Sequence, residues 1–240
     1  MIDVNAPGFW PQLFETLRIA TGQTLYQVGI TLLLTAIIGV AIGTILVVTE
    51  ADGVLARPFG SRALGRAINA VLQLIVNLGR SIPFIILMIA LIPFTRLVLG
   101  TSFGVTAAIV PLTVAAIPFF ARMVEMSLRE VPAGLVEAGT SLGASRWHLV
   151  AKVLLPEAMP SLVLGFTTTA VSVVNFSAIV GVIGGGGLGD VAIRYGHQRY
   201  SVTHIIAVII ILVAIVAIIQ AIGNAVSMRM RGGGPARARR

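Results

Sequence analysis

Residues 137–160 read EAGTSLGASRWHLVAKVLLPEAMP. The stretch lies between two strongly apolar runs yet carries Glu137, Arg146, His148, Lys152 and Glu157. Charge is costly in hydrocarbon, so this segment lies in water or against another protein. The runs around it set the fold class. Several exceed the roughly 18 mostly apolar residues that a helix needs to cross a hydrocarbon layer about 30 Å thick. Charged residues make up 11% of the chain, against about 25% in soluble domains, and mean hydropathy is +0.99. Barrel strands would read as alternating segments of about 10 residues, so an all-α polytopic membrane protein is the economical reading.

Composition narrows the function. The net charge of +8 does not point to nucleic acid, because the basic residues are scattered between apolar runs. Without cysteine there is neither a disulfide framework nor a thiolate metal site. The opening residues, which include Asp3 and Glu15, lack the pattern of a cleaved signal peptide. Phe9, Trp10 and Phe14 suit anchoring at a membrane interface, or a short amphipathic lead-in helix.

Five spans are expected. The first covers residues 25–48, with Thr31, Thr35, Gly39 and Gly43 forming a smooth packing face. The second lies within residues 68–92, where Asn69, Gln73, Asn77 and Arg80 fall within an arc of about 80°. That stripe is either a wall of a polar pathway or a helix end with Arg80 reaching for the interface. The third, residues 105–124, contains Pro111 and Pro118 and should be bent or locally broken. Arg122, Glu125 and Arg129 follow at ion-pairing spacings. The fourth runs from just after Pro156 to about Gly184, with Gly165, Thr168, Ser172 and Asn175 on one side, a pattern that favours helix packing. The fifth, residues 205–226, precedes a basic glycine-rich tail that should be disordered.

Charge orients these spans. With the C-terminus inside, 12 of the 17 basic residues fall on the inner side and 4 outside, which places the 137–160 segment in the cytoplasm and the N-terminus outside.

Two nucleotide motifs fail. Gly184, Gly186 and Gly189 satisfy G-x-G-x-x-G, but they close a membrane helix rather than join a strand to a helix, so a flexible outer loop or re-entrant turn fits better. A P-loop needs G-K-[ST], and the lone lysine, Lys152, sits between Ala151 and Val153. The three histidines lie in separate segments and form no metal cluster.

Within the polar stretch the pattern is helix, glycine, helix, proline. Pro132 suits an early helical position and Gly143 the residue just past a helix end. Pro156 suits the start of the next helix, with Glu157 in its first turn.

The same residues resemble the E-A-A-x3-G-x9-I-x-L-P loop of permeases of ATP-binding-cassette importers. Glu137 and Ala138 match its first letters, Gly143 its glycine, and Leu155 and Pro156 its end, while Gly139 and Val153 depart conservatively. GRSIPFIILMIALIPFTR, AAIVPLTVAAIPFFARMVE and GGGGLGD are similar to the methionine-uptake branch. The resemblance implies a multi-pass subunit of the bacterial inner membrane. It divides into an interfacial segment at residues 1–22, a permease domain at 23–228 with its loop at 131–156, and a tail at 229–240. Glu137, Ala138, Gly139, Gly143, Ala144, Leu155 and Pro156 would couple it to the ATPase.

The implied partners are a second permease subunit, forming a homodimer, two cytoplasmic ATPases, and a periplasmic or lipid-anchored binding protein. The chain itself would be no enzyme and hold no cofactor, with ATP and Mg on the ATPase. Methionine is the implied substrate, with another amino acid or small organic solute as the alternative. Asn77, Arg80, Ser172, Asn175, Phe176 and Ile179 would line the pathway, Phe176 and Ile179 as an apolar gate. A secondary transporter should show a buried carboxylate or repeated halves, whereas all nine acidic residues are expected at or beyond span ends.

Overall fold

The computed structural model describes residues 7–50 and 62–232, and every regular element among them is helical. Helix α1 spans Phe9–Val48, α2 Arg62–Ser81, α3 Phe84–Ala90, α4 Ile92–Leu99 and α5 Val105–Arg129. Then follow α6 (Ala133–Ser141), α7 (Arg146–Leu149), a π-helical turn at Val150–Leu154, and α8 (Leu155–Val182). The chain ends with α9 (Gly187–Val191), a second π-helical turn at Ala192–His197, and α10 (Val202–Gly232). Four helical stretches are long and apolar enough to cross a membrane, or five if α2 and α3 form one interrupted span. Arg57, Pro58 and most of the basic tail lie outside the described residues.

Several expected boundaries shift. No break separates an interfacial segment from the first span: α1 runs unbroken through Gly22. The second span is interrupted, because Pro83 cannot donate to the helix ladder and restrains Ile82 before it. α5 is continuous through Pro111 and Pro118, so no local break occurs. Its accommodation is visible at Gly79, where a Cβ would stand 2.6 Å from Pro118 Cγ. The helix expected to start at Pro156 begins instead at Arg146. There the Leu155 N–H reaches the Val150 carbonyl, five residues back, and this change of register lets proline enter an established helix. The helix α10 continues to Gly232, so residues 229–232 are not part of a disordered tail.

The chain divides into two compact units. The first comprises Met1–Leu34, Ile82–Ala116 and Ala170–Ile219. Its core packs Phe9, Leu13 and Leu17 of α1 on Leu188, Val191 and Val208. A second cluster joins Phe84 and Met88 to Leu112 and Val180, and Phe84 stacks on Phe176 at 4.5 Å.

The glycine-rich loop lies in this unit and is pinned. Gln27 Nε2 donates to the Gly185 carbonyl at 2.5 Å. Gly187 N–H donates to Gln23 Oε1 at 2.8 Å, and Leu188 N–H to Thr24 Oγ1 at 2.9 Å. Gly186 and Gly187 have φ of 74° and 77°, a region that glycine enters cheaply. A Cβ on Gly189 would stand 2.1 Å from the Ala178 carbonyl oxygen. The loop is thus a packed turn rather than a flexible one.

The second unit comprises Thr35–Ser81, Ile117–Thr169 and Gln220–Arg240. Val48, Phe120, Val124, Leu128, Val150 and Leu154 form its main core. The small-residue face of α1 makes close approaches here: a Cβ on Gly39 would meet the Phe120 ring at 2.7 Å, and one on Gly43 the Ala121 carbonyl at 2.6 Å. Thr31 and Thr35 on the same face are fully buried.

Candidate functional site: an exposed helical hairpin on a charge-tied base

The polar stretch folds as the short helix α6, a glycine turn and α7. Pro132 caps α6, and its fixed φ of −58° suits a helix entry. Gly143, at φ 77°, lies just past the end of α6, where a side chain would be strained. Ser145 then caps α7, its hydroxyl accepting the His148 N–H at 3.3 Å. Local chemistry therefore sets both ends of the turn.

One face of this hairpin is anchored. Val136 and Leu155 pack against the main core of the second unit, and Leu149 is buried. A Cβ on Gly139 would meet Leu149 Cδ2 at 2.5 Å, so the glycine brings α6 close to the end of α7. The opposite face is open. Glu137, Ala138, Gly143 and Pro156 are exposed, while Gly139, Ala144 and Leu155 are half-buried. Leu142 and Trp147 are 88% and 74% exposed. Two large apolar side chains held in water by a capped turn make a surface suited to a partner. Neither was singled out from sequence; their signal was their place beside the glycine turn, flanked by charged residues.

Beneath the hairpin, α5 ends in a network centred on Glu125, which has no exposed surface. Its carboxylate pairs with Arg122 at 2.8 Å and Arg129 at 2.6 Å and accepts Gln73 Nε2 at 2.9 Å. Arg129 also pairs with Glu50 at the end of α1. Asn69 Nδ2 donates to the Leu46 carbonyl at 2.6 Å and to Thr49 Oγ1 at 3.2 Å. These contacts tie α1, α2 and α5 together immediately before the hairpin. They also correct the expectation that no acidic residue is buried. Glu125 lies inside the protein, but two guanidiniums and an amide occupy it, so it is not a free proton acceptor.

The expected pathway residues divide. Along the stripe of α2, Asn69 and Gln73 turn into the network, while Asn77 and Arg80 are exposed. On α8, Asn175 is exposed and Ser172 half-buried. Phe176 and Ile179 pack on the Phe84 cluster of the first unit. No group of three or more potential metal ligands exists among the described residues, and His204 is instead stacked on Tyr195 and bonded to Ser201.

Comparison with known proteins agrees with this geometry. Residues 53–232 match the family described as binding-protein-dependent transport system inner membrane component. A probable D-methionine transport system permease protein MetI from Vibrio cholerae is 49% identical over 90% of this chain and 92% of its own length. The methionine import system permease protein MetP of Bacillus subtilis is 42% identical over 70% of this chain and 76% of its own. An inward-facing structure of the MetNI methionine ABC transporter matches with a TM-score of 0.84 and 40% identity, covering 95% of this chain and 99% of that chain. With its hairpin on a charge-tied base and this match over most of its length, the chain belongs to the binding-protein-dependent transport system inner membrane component family.

Proposed function

We propose that the chain is the membrane-spanning permease subunit of an ATP-driven importer that carries methionine into the cytoplasm. The observation that carries this reading is the exposed hairpin bearing Glu137, Leu142 and Trp147, in a chain whose sequence lacks a P-loop of its own. Energy must then arrive through a docked subunit, and relatives named for methionine transport supply the substrate.

In this reading the hairpin lies in a groove of the ATPase, where Glu137 and Ala138 meet the partner directly. Gly139 and Ala144 keep the turn slim, and Leu155 with Pro156 fixes it to the helix behind. ATP-driven closure moves two such hairpins in a homodimer, and α1, α2 and α5, tied together by the Glu125 network, transmit the motion. Asn77, Arg80, Ser172 and Asn175 provide polar pathway surface, and Phe176 with Ile179 an apolar constriction that suits a thioether side chain. The excess of basic residues in the hairpin and the other segments on its side supports a cytoplasmic hairpin and C-terminus, with the N-terminus outside.

The test is ATP hydrolysis by the complex in lipid vesicles, with binding protein supplied and amino acids varied. Methionine should stimulate hydrolysis most. Equal stimulation by an unrelated amino acid would move the substrate assignment to it.

A further inference from the structure

Helix α10 ends in a concentration of positive charge. Arg229 and Arg231 lie in its last turn, and Arg237, Arg239 and Arg240 follow in the sequence, whereas no acidic residue follows Asp190. Arg229 and Arg231 have no carboxylate partner among the described residues. Their charge is therefore directed outward rather than spent inside the protein.

This end is fixed to the second unit and open just beyond. Gly223 lies so close to Thr167 of α8 that a Cβ has no room, and Ser227 Oγ donates to the Pro160 carbonyl at 3.0 Å. Past Ser227, the residues Met228, Arg229, Met230 and Arg231 are all exposed. At about 100° per residue these four span about 300° of the helix circumference, so the described residues leave the turn open on nearly every side.

Depth identifies the occupant. The apolar run at residues 205–226 extends about 33 Å at about 1.5 Å per residue, which matches a hydrocarbon layer of about 30 Å. Arg229 and Arg231 then lie about 4.5 and 7.5 Å past its end, in the headgroup band, which is about 5–8 Å deep on each side. Met228 and Met230, 66% and 41% exposed, give the same turn apolar surface at that level. We propose that the end of α10, with the tail arginines behind it, binds anionic phospholipid headgroups. A zwitterionic headgroup carries its own ammonium beside the phosphate and offers no net charge to complement five arginines. A docked protein would have to enter the headgroup band to meet Arg229. The bound lipid holds the end of α10 against α8, the helix that continues from the hairpin. This site needs only that α10 crosses a membrane, so its failure leaves the transport reading intact.

The experiment is native mass spectrometry of the full-length chain in detergent, delipidated and titrated with phosphatidylglycerol or phosphatidylcholine, with inorganic phosphate as competitor. Wild type should retain phosphatidylglycerol over phosphatidylcholine, and phosphate should not displace it. Arg229→Gln with Arg231→Gln should weaken the first phosphatidylglycerol by roughly 30-fold, about five-fold for each basic residue at an anionic surface. Arg229→Lys with Arg231→Lys keeps the charge and should bind within about two-fold of wild type, which separates lost attraction from misfolding. Truncation after Gly232 should also weaken retention, through loss of Arg237, Arg239 and Arg240. Unchanged phosphatidylglycerol affinity in the glutamine variant would overturn the proposal, as would no preference between the two lipids in wild type. Displacement by phosphate would make this a free-anion site. Loss of co-purifying ATPase from the glutamine variant with lipid retention intact would assign the arginines to that partner instead.

Discussion

Gln73 Nε2 donates to the fully buried Glu125 carboxylate at 2.9 Å, joining the middle of α2 to the end of α5. The same carboxylate holds Arg122 and Arg129, so one side chain organises the base of the hairpin. Replacing Glu125 with alanine leaves two guanidiniums without their common acid. The cost should be about 3 kcal/mol, the lower end for breaking a buried pair, because both arginines are partly exposed. Thermal unfolding of the purified chain in detergent measures it, and an unchanged midpoint would deny the network a structural role.

The glycine loop should tolerate no side chain at its closest approach. Gly189→Ala places a methyl 2.1 Å from a backbone oxygen that cannot rotate away. A loss of about 3 kcal/mol or more is expected, at or above the upper range for overpacking. Gly134→Ala is the control: it meets open space on α6 and should be neutral or slightly stabilising.

Thr24 and Gln23 supply acceptors for the amides that open α9. Thr24→Val keeps the shape but orphans the Leu188 N–H, at a cost of about 1–3 kcal/mol. Hydrogen exchange at Leu188 should speed up accordingly, and unaltered protection would mean that the pin is dispensable.

The fold class, the small-residue face and the glycine turn were legible in the sequence because each depends on local spacing. Gly39 and Gly43 recur at four residues, and Gly143 stands where a helix must stop, at the φ of 77° that such a stop requires. What escaped depends on distant partners. Nothing in the spacing of Arg122, Glu125 and Arg129 says that Gln73, some 50 positions earlier, completes a buried site. The four-glycine run reads as flexible until Gln23, Thr24 and Gln27 are seen to clamp it. Pro156 reads as a helix start because a π-helical register change cannot be anticipated from composition.

Leu142 and Trp147 should matter to the partner rather than to the fold. Both are largely exposed, so Leu142→Ser with Trp147→Ala should leave unfolding unchanged. Removing an exposed aromatic anchor should weaken ATPase association by at least about ten-fold, as for a central interface residue. A loss of stability with association intact would reverse the assignment.

The most direct test of the account is ATP-driven methionine uptake by vesicles containing Glu137→Lys, with the amount of co-purifying ATPase measured in the same preparation. Glu137 is exposed on α6, so the variant should insert and fold normally. The account predicts that the ATPase is lost and uptake abolished. Full co-purification with uptake at the wild-type rate would contradict it.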